Sequence, residues 1–280
     1  MATLKVIKRR ISSVKSTKKI TRAMQMVAAA KLRRAQQSIE RARPYSLKLR
    51  DTIADLAART EPNQHALLAE HEGEHAAYMI VTGDRGLCGS FNANIIRKAE
   101  GLIKLEDELV LVGKKGADYF GKRGYNVQQR HAGIFRELNF GHASAIGEML
   151  ARYYIEERLD RIFLIYNEFK SIIVQNVILE QLLPIRPAET VEAHPVDFIF
   201  EPDAGAVLDK LLPLSLNMQI WRVLLESNAA EQAARMTAME NATDAAQEMI
   251  DTLTLHYNKA RQAAITKEIL DIVGGVTGME

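Results

Sequence analysis

LSLNMQIWRVLLESNAAEQAARMTAMENATDAAQEMIDTLTLHYNKARQAAITKEILDIV, from Leu214 to Val273, is sixty residues without a proline or glycine, bounded by Pro213 and by Gly274-Gly275. Ala, Glu, Gln, Met, Leu and Arg fill much of it, all strong helix formers. Fully helical, it would reach roughly 90 Å at 1.5 Å per residue, and periodic patterns of that length point to a coiled coil or another special helical architecture. From Met239 the series Ala242, Ala246, Met249, Leu253, His256, Ala260 and Ala263 advances by alternating steps of three and four. That spacing predicts a heptad seam carrying small side chains and one imidazole. Alanines let two helices approach closely but bury little apolar area per layer. Such a helix needs a partner.

The partner is at the other end of the chain. Residues 2 to 43 also lack proline and glycine, and Pro44 is followed by a second helical pattern from Tyr45 to Arg59 that ends before Pro62. Leu4, Ile7, Ile11 and Val14 open a series that polar Lys18 and Thr21 continue, and Met24, Ala28, Leu32, Ala35, Ile39 and Ala42 resume it as an apolar face. Two terminal helices separated by a domain-sized insert pair antiparallel if the insert returns the chain to its starting side. The chain therefore divides into an N-terminal coiled-coil helix (1–60), a central domain (75–202), a short helix and junction (203–213) that Pro213 interrupts or kinks, and a C-terminal coiled-coil helix and tip (214–280).

Residues 61–74 are polar, with Pro62, Gly73 and histidines at 65 and 71, and His75 follows; they read as a linker without convincing metal-ligand spacing. From Ala76 short apolar runs take over. Strands are predicted at 77–82, 108–112, 125–129, 161–166 and 172–182, and helices at 92–105, 114–121 and 143–159. This alternation predicts a three-layer, Rossmann-like α/β domain with a mainly parallel sheet. The short connection around Asn167 and Lys170-Ser171 makes the last two long strands an antiparallel hairpin. Val196 to Phe200 reads as an edge strand, and Asp203 as the cap of the next helix.

The net charge of +2 hides an asymmetry. Residues 1–50 hold 15 Lys and Arg against the single acid Glu40, which leaves the other 230 residues at net −12. Such a block reads as a surface facing an acidic partner: protein, nucleic acid or lipid headgroup. Around Met24, Met26 and Val27 the cations Lys18, Lys19, Arg22, Lys31, Arg33 and Arg34 cluster. An acidic protein surface suits them best, with a solvated face or nucleic acid as the alternatives, since interleaved aromatics are missing. The one cysteine, Cys88, excludes an intrachain disulfide and argues against a cysteine metal cluster. No apolar run is long enough for a membrane span. The basic start lacks the form of a secretory signal; an organellar transit peptide is the alternative to mature helix there.

One glycine-rich turn, Gly83-Asp-Arg-Gly-Leu-Cys-Gly-Ser-Phe-Asn92, follows a predicted strand and precedes a helix, the place where α/β domains bind phosphate. Its spacing is GxxGxxG, neither the dinucleotide fingerprint nor a Walker motif. Lys114-Lys115 stand after the next strand, where a dinucleotide site would use an acid. A tight structural or partner-binding turn is the preferred reading over a nucleotide site, and a satisfied, partly buried Cys88 over an activated thiol. His131, His142 and His194 are scattered.

Three long stretches resemble the gamma subunits of F-type ATP synthases: ISSVKSTKKITRAMQMVAAAKL (11–32), TGDRGLCGSFN (82–92) and NKARQAAITKEILDIVGG (258–275). The resemblance covers essentially the whole chain, and is closest to the bacterial type because a transit extension and a central cysteine pair are both missing. It implies an antiparallel coiled-coil shaft inside a hexamer of alpha and beta subunits, with the α/β domain beside the epsilon subunit and on the membrane c ring. The chain would sit peripherally on the cytoplasmic side of the bacterial plasma membrane. It would be a non-catalytic rotor without cofactor, metal or nucleic acid. The positions implied to touch partners are Lys18, Arg22, Met24 and Arg33 on the first helix, Phe200 and Glu201 toward the c ring, and Arg235, Arg261 and Gln262 on the last helix. Phe200 and the tail 276–280 depart from the family pattern.

Overall fold

The computed structural model describes residues 4–58, 65–156, 158–186 and 203–277. In chain order these form α1 (Leu4–Ala58), β1 (Ala76–Val81), α2 (Phe91–Glu100), β2 (Glu108–Val112), α3 (Lys114–Phe120), β3 (Asn126–His131), a 3-10 turn (Ile134–Arg136), α4 (Phe140–Ile155), β4 (Arg161–Phe169), β5 (Gln175–Leu183) and α5 (Ala204–Thr277). The chain divides into two compact units: Met1–Ala28 with Met236–Glu280, and Ala29–Arg235.

The larger unit contains the sheet, ordered β3-β2-β1-β4-β5. The first four strands are parallel and β5 pairs antiparallel with β4, as the short connection requires. Successive strand residues point to opposite faces, and both faces are covered. Met79, Val81, Val110, Val112 and Leu164 pack with α4 (Ile146, Leu150, Tyr154), the end of α1 (Leu49, Ile53, Leu56) and the start of α5. Ile80, Leu109, Leu111 and Ile165 pack with α2 (Phe91, Ile95, Ala99) and with Phe120 of α3. The fold is therefore three-layered, as the strand and helix alternation predicts.

Local signals account for the helix ends. Asn139 caps α4, its side chain accepting from His142 N at 3.3 Å while His142 Nδ1 accepts from Asn139 N at 3.4 Å. Asp203 caps α5, its carboxylate accepting from Ala206 N at 2.9 Å. α2 stops at Glu100 before Gly101, short of the expected 105. Proline is the larger departure. Pro213 does not separate a short helix from the long one, since α5 runs through it, and α1 likewise runs through Pro44. An interior proline costs about 3 kcal/mol, but Leu208, Leu212 and Leu216 are all but fully buried around Pro213. Each such leucine stabilises by roughly 1.5–3 kcal/mol, so burial of the continuous stripe wins. Gly274 and Gly275 lie inside the same helix. The expected edge strand at 196–200 lies outside the described residues.

In the smaller unit α1 and α5 run antiparallel, since Lys18 meets Gln247 and Thr21 meets Thr243. The α1 seam is the one expected: Leu4, Ile7, Ile11, Val14, Lys18, Thr21, Met24 and Ala28 are all withdrawn from solvent. The α5 seam is rotated from the expected one. Met239, Thr243, Ala246, Ile250, Leu253, Tyr257, Ala260 and Ala264 face inward, whereas Met249, His256 and Ala263 are exposed. Both series share 239, 246, 253 and 260. At the intervening positions Ile250 and Tyr257 bury more apolar area than the side chains beside them, and Thr243 finds a hydroxyl partner.

Candidate functional site

The sheet reverses its strand order at β1, between β2 and β4, and the glycine-rich turn leaves β1 there, at the place where open α/β sheets bind ligands. In this chain the turn's donors and acceptors are used internally. Thr82 Oγ1 donates to Val112 O at 3.1 Å and accepts from Gly116 N at 2.8 Å. Asn92 Oδ1 accepts from Gly83 N at 2.8 Å. Asp84 Oδ1 accepts from Lys114 N at 3.1 Å and Gly133 N at 2.9 Å, so a carboxylate already occupies the start of α3. Gly113 has φ +87, and a Cβ there would lie 2.0 Å from Thr82 O, so only glycine allows β1 and β2 to leave the sheet this closely.

From the other side the turn is closed by α5. Glu231 and Arg235 form an ion pair at 2.6 Å, with side chains only 6% and 11% exposed. Arg235 donates to Gly86 O at 3.3 Å, and a Cβ on Gly83 would meet the Glu231 carboxyl at 2.9 Å. Burial pushes the Glu231 carboxyl up, with Asp84 adding to the rise while Arg235 and Lys31 pull it down. A phosphate entering here would face two carboxylates rather than free backbone donors. The turn is built for packing. Cys88 is 2% exposed, accepts from Asn92 Nδ2 at 3.2 Å, and has its thiol pushed up chiefly by burial, with Arg235 pulling the other way. Reactive thiols need the opposite shift.

A second, half-buried network ties β4 and β5 to α5. Arg222 donates to both Glu180 oxygens at 2.6 and 2.8 Å, to Tyr166 OH at 3.1 Å and to Glu226 at 3.3 Å. Tyr166 OH donates to Glu180 at 2.8 Å. Burial opposes the Glu180 charge, but Arg222 outweighs it and holds the carboxyl below its ordinary value. Burial drives the Tyr166 hydroxyl far above its usual range, so it stays protonated as a donor. Sequence reasoning missed both this network and Glu231. The only signals were the i, i+4 pairs Arg222/Glu226 and Glu231/Arg235, which look the same on a solvated helix.

The implied contact residues separate by exposure. Arg22 and Arg33 on α1, and Arg261 and Gln262 on α5, are exposed; Met24 is half-buried on the seam. Lys18 is half-buried and donates to Gln247 rather than standing free. Arg235, expected to touch a partner, has its guanidinium held by Glu231 and the Gly86 carbonyl. Phe200 and Glu201 lie outside the described residues. Around the α1 cations stand the uncovered apolar side chains Ile20 (60% exposed), Met26 (67%) and Val27 (57%), and α5 adds Leu255, Ile265, Ile269 and Leu270. Large apolar side chains exposed together mark contact surfaces. Among the described residues no three His, Cys, Asp or Glu side chains are arranged to hold a metal ion, and no helix is long and apolar enough to cross a membrane.

A sequence model of the family described as ATP synthase matches residues 3–279. The ATP synthase gamma chain of Chlorobaculum parvum is 47% identical, with all of both chains covered. The chain belongs to the ATP synthase gamma-chain family. The gamma chain of Chloroherpeton thalassium is 46% identical over 100% of this chain and 99% of its own. Among solved structures, a chain of the Tetrahymena thermophila mitochondrial ATP synthase central stalk and c-ring is 26% identical with a TM-score of 0.63, covering 80% of this chain and 99% of that one. A chain of the Euglena gracilis mitochondrial ATP synthase is 20% identical with a TM-score of 0.73 over 99% of this chain and 94% of that one, a likeness of fold. Paired terminal helices and a central α/β domain are thus the family's architecture.

Proposed function

We propose that this chain is the central rotor shaft of an F-type ATP synthase, carrying torque between an ion-driven c ring in the membrane and a catalytic hexamer of alpha and beta subunits. The observation that carries this reading is an antiparallel helix pair whose outer surface is left apolar and basic at Ile20, Met26, Val27, Arg22, Leu255 and Arg261. Such a surface is costly alone and favourable inside a bearing. Basic side chains attract acidic segments of a surrounding stator at long range without one fixed docked pose, which suits a part that must turn. The chain does no nucleotide chemistry itself. Its asymmetric cross-section would favour a different conformation at each of three surrounding sites, shifting their relative affinities through differential contacts.

On this reading Arg22, Met24 and Arg33 face the beta subunits, Lys18 contributes from the seam, and Arg261 and Gln262 bear on a beta-subunit loop. Phe200 and Glu201 approach the c ring, the α/β domain packs beside epsilon, and Arg235 is the remaining partner contact on α5. The complex would lie on the cytoplasmic face of a bacterial plasma membrane. Isolation of the tagged chain from native membranes, with identification of what accompanies it, tests the assignment: alpha, beta, epsilon and c subunits are expected, and recovery without alpha or beta under conditions that preserve assembly would reject it. Replacing Arg261 and Gln262 together by alanine should weaken ATP-driven proton pumping while leaving stability within about 0.5 kcal/mol, because both side chains are exposed. Undiminished pumping in the assembled variant would remove that role.

A further inference from the structure

Residues 65–75, which lead into β1, set each of their three histidines against an aspartate. His75 Nδ1 lies 3.4 Å and His71 Nδ1 3.9 Å from the Asp160 carboxylate, and His65 Nε2 lies 3.6 Å from Asp209 Oδ1 on α5. The two ends are built differently. At the Asp160 end the backbone does the holding: Asp160 Oδ2 accepts from His75 N at 2.8 Å, and His75 O accepts from Asp160 N at 2.8 Å. A Cβ on Gly73 would stand 2.1 Å from the same carboxylate oxygen, so the segment lies directly on Asp160. His71 Nδ1 donates to Leu159 O at 3.2 Å, with its ring stacked on Tyr154. A further proton on either imidazole meets a carboxylate and disturbs none of these bonds.

At the other end an imidazole nitrogen is the acceptor. His65 Nδ1 accepts from Leu67 N at 3.0 Å, so that nitrogen carries no proton and the ring N–H is on Nε2, toward Asp209. The bond closes a turn that seats Leu67, fully buried, in the core with Leu49, Ile53 and Leu56 of α1, Leu182 and Leu183 of β5, and Leu208 and Leu212 of α5. Leu67 O accepts in turn from Ile185 N at 2.9 Å, just beyond β5. A proton on Nδ1 would set two N–H donors facing each other across this turn. Burial holds the His65 imidazole below its ordinary value, against the upward pull of Asp209 on α5. After β5 the nearby charge is Arg186, which Glu70 holds at 3.5 Å, and α1 contributes apolar side chains.

We propose that the His65–Leu67 turn is an acid-released latch: protonation of His65 frees Leu67 and Ile185 from the joint where the end of α1, the end of β5 and the start of α5 meet, while residues 71–75 stay clasped to Asp160. The sign follows from the acceptor. The closed turn favours neutral His65, so the latch is complete above the ordinary imidazole value of 6.5 and weakens as pH falls below it. One proton taken up on opening multiplies the open fraction about tenfold between pH 7.5 and 5.5. The latch follows from the geometry of the turn and does not depend on the rotor reading above.

The test is residue-resolved amide exchange in the full-length chain, taken as protection relative to the intrinsic rate at each pH. The Leu67 and Ile185 amides should lose protection about tenfold between pH 7.5 and 5.5, while those of His75 and Asp160 keep theirs. His65→Asn places a side-chain acceptor that does not titrate two residues before Leu67 N, and should retain the protection while flattening its pH dependence. The 15N shift of His65 Nδ1 gives a check that needs no variant: an unprotonated nitrogen at pH 7.5 is expected. A flat profile at Leu67, an equal fall in His65→Asn, or loss at His75 and Asp160 in step with Leu67 overturns the latch, and so does a protonated Nδ1 at pH 7.5.

Discussion

Removing Arg235 isolates the buried pair that seats the glycine turn on α5. In Arg235→Leu the Glu231 carboxyl, 6% exposed, loses its ion-pair partner. Breaking one side of a buried pair costs about 3–5 kcal/mol; Arg235 is 11% exposed, so the lower end, about 3 kcal/mol, applies. The cost falls on the turn, whose Gly86 carbonyl also loses its donor. Cys88 reports on that opening, being the chain's only cysteine and 2% exposed. If modification requires the turn to open, about 3 kcal/mol raises its rate roughly 100-fold, at 1.4 kcal/mol per factor of ten. The assay is the initial rate of thiol modification by 4,4′-dithiodipyridine in the full-length chain, with circular dichroism to show that the helices persist. The sign with pH follows from Glu231. Burial raises its carboxyl in the folded state, so folding of the turn holds a proton more tightly than the open chain does. That contribution is complete below the ordinary carboxylate range and is lost as pH rises through the raised value. Without Arg235 to pull it down the rise is larger, so the excess modification rate should shrink on acidification. Glu231→Leu combined with Arg235→Leu removes both charges and should return the rate to within about tenfold of the parent, the 1.4 kcal/mol equivalent. A rate in Arg235→Leu within twofold of the parent at neutral pH would refute the reasoning.

Other perturbations probe separate parts of the fold. Thr82→Val deletes the acceptor for the buried Gly116 N–H and the donor to Val112 O, and should lower stability by about 1–3 kcal/mol, read as a fall in the thermal midpoint. His131 is held below its ordinary imidazole value by burial and by His142. Its neutral form is therefore favoured by folding, and that stability is present above the unfolded imidazole value and is lost as pH falls below it. Amide protection in 126–142, taken relative to the intrinsic exchange rate at each pH, should fall between pH 7.5 and 5.5, and His131→Gln should flatten the dependence; an equal slope in the variant would assign the effect elsewhere. Arg222→Met leaves Glu180 without its bidentate partner, and should raise the Glu180 carboxyl and loosen the β4–β5 pairing against α5, measured by exchange at 161–183.

The layer order and the antiparallel β4–β5 pair were legible because they depend on local patterns: apolar runs of strand length, their spacing, and a connection too short for a crossover. What escaped was whatever depends on a partner distant in sequence. Glu231 is an unremarked acid on a polar stretch until Gly83 and Asp84 come within reach of it, and Glu180 is one polar residue in a strand until Arg222 arrives from α5. Proline misled for a related reason. Its local penalty is fixed, whereas the leucines that offset it at 208, 212 and 216 gain their free energy only from the sheet domain they pack against.

The rotated seam on α5 carries the same lesson into function. Two heptad frames coincide at 239, 246, 253 and 260 and diverge at each intervening step, and α5 is apolar enough to support either. A helix that faced water on its outer side would not offer that choice, because polar residues would mark the wrong frame. Here the frame facing away from α1 keeps Met249 at 53% exposure, and Leu255, Ile265 and Ile269 also lie on uncovered surface. The ambiguity that defeats a one-partner reading is thus the trace of a second surface. α1 takes one frame through Ile250, Tyr257 and Thr243, and the remaining apolar side chains are left for whatever surrounds the pair, which is what a shaft turning inside a bearing requires of its outer face.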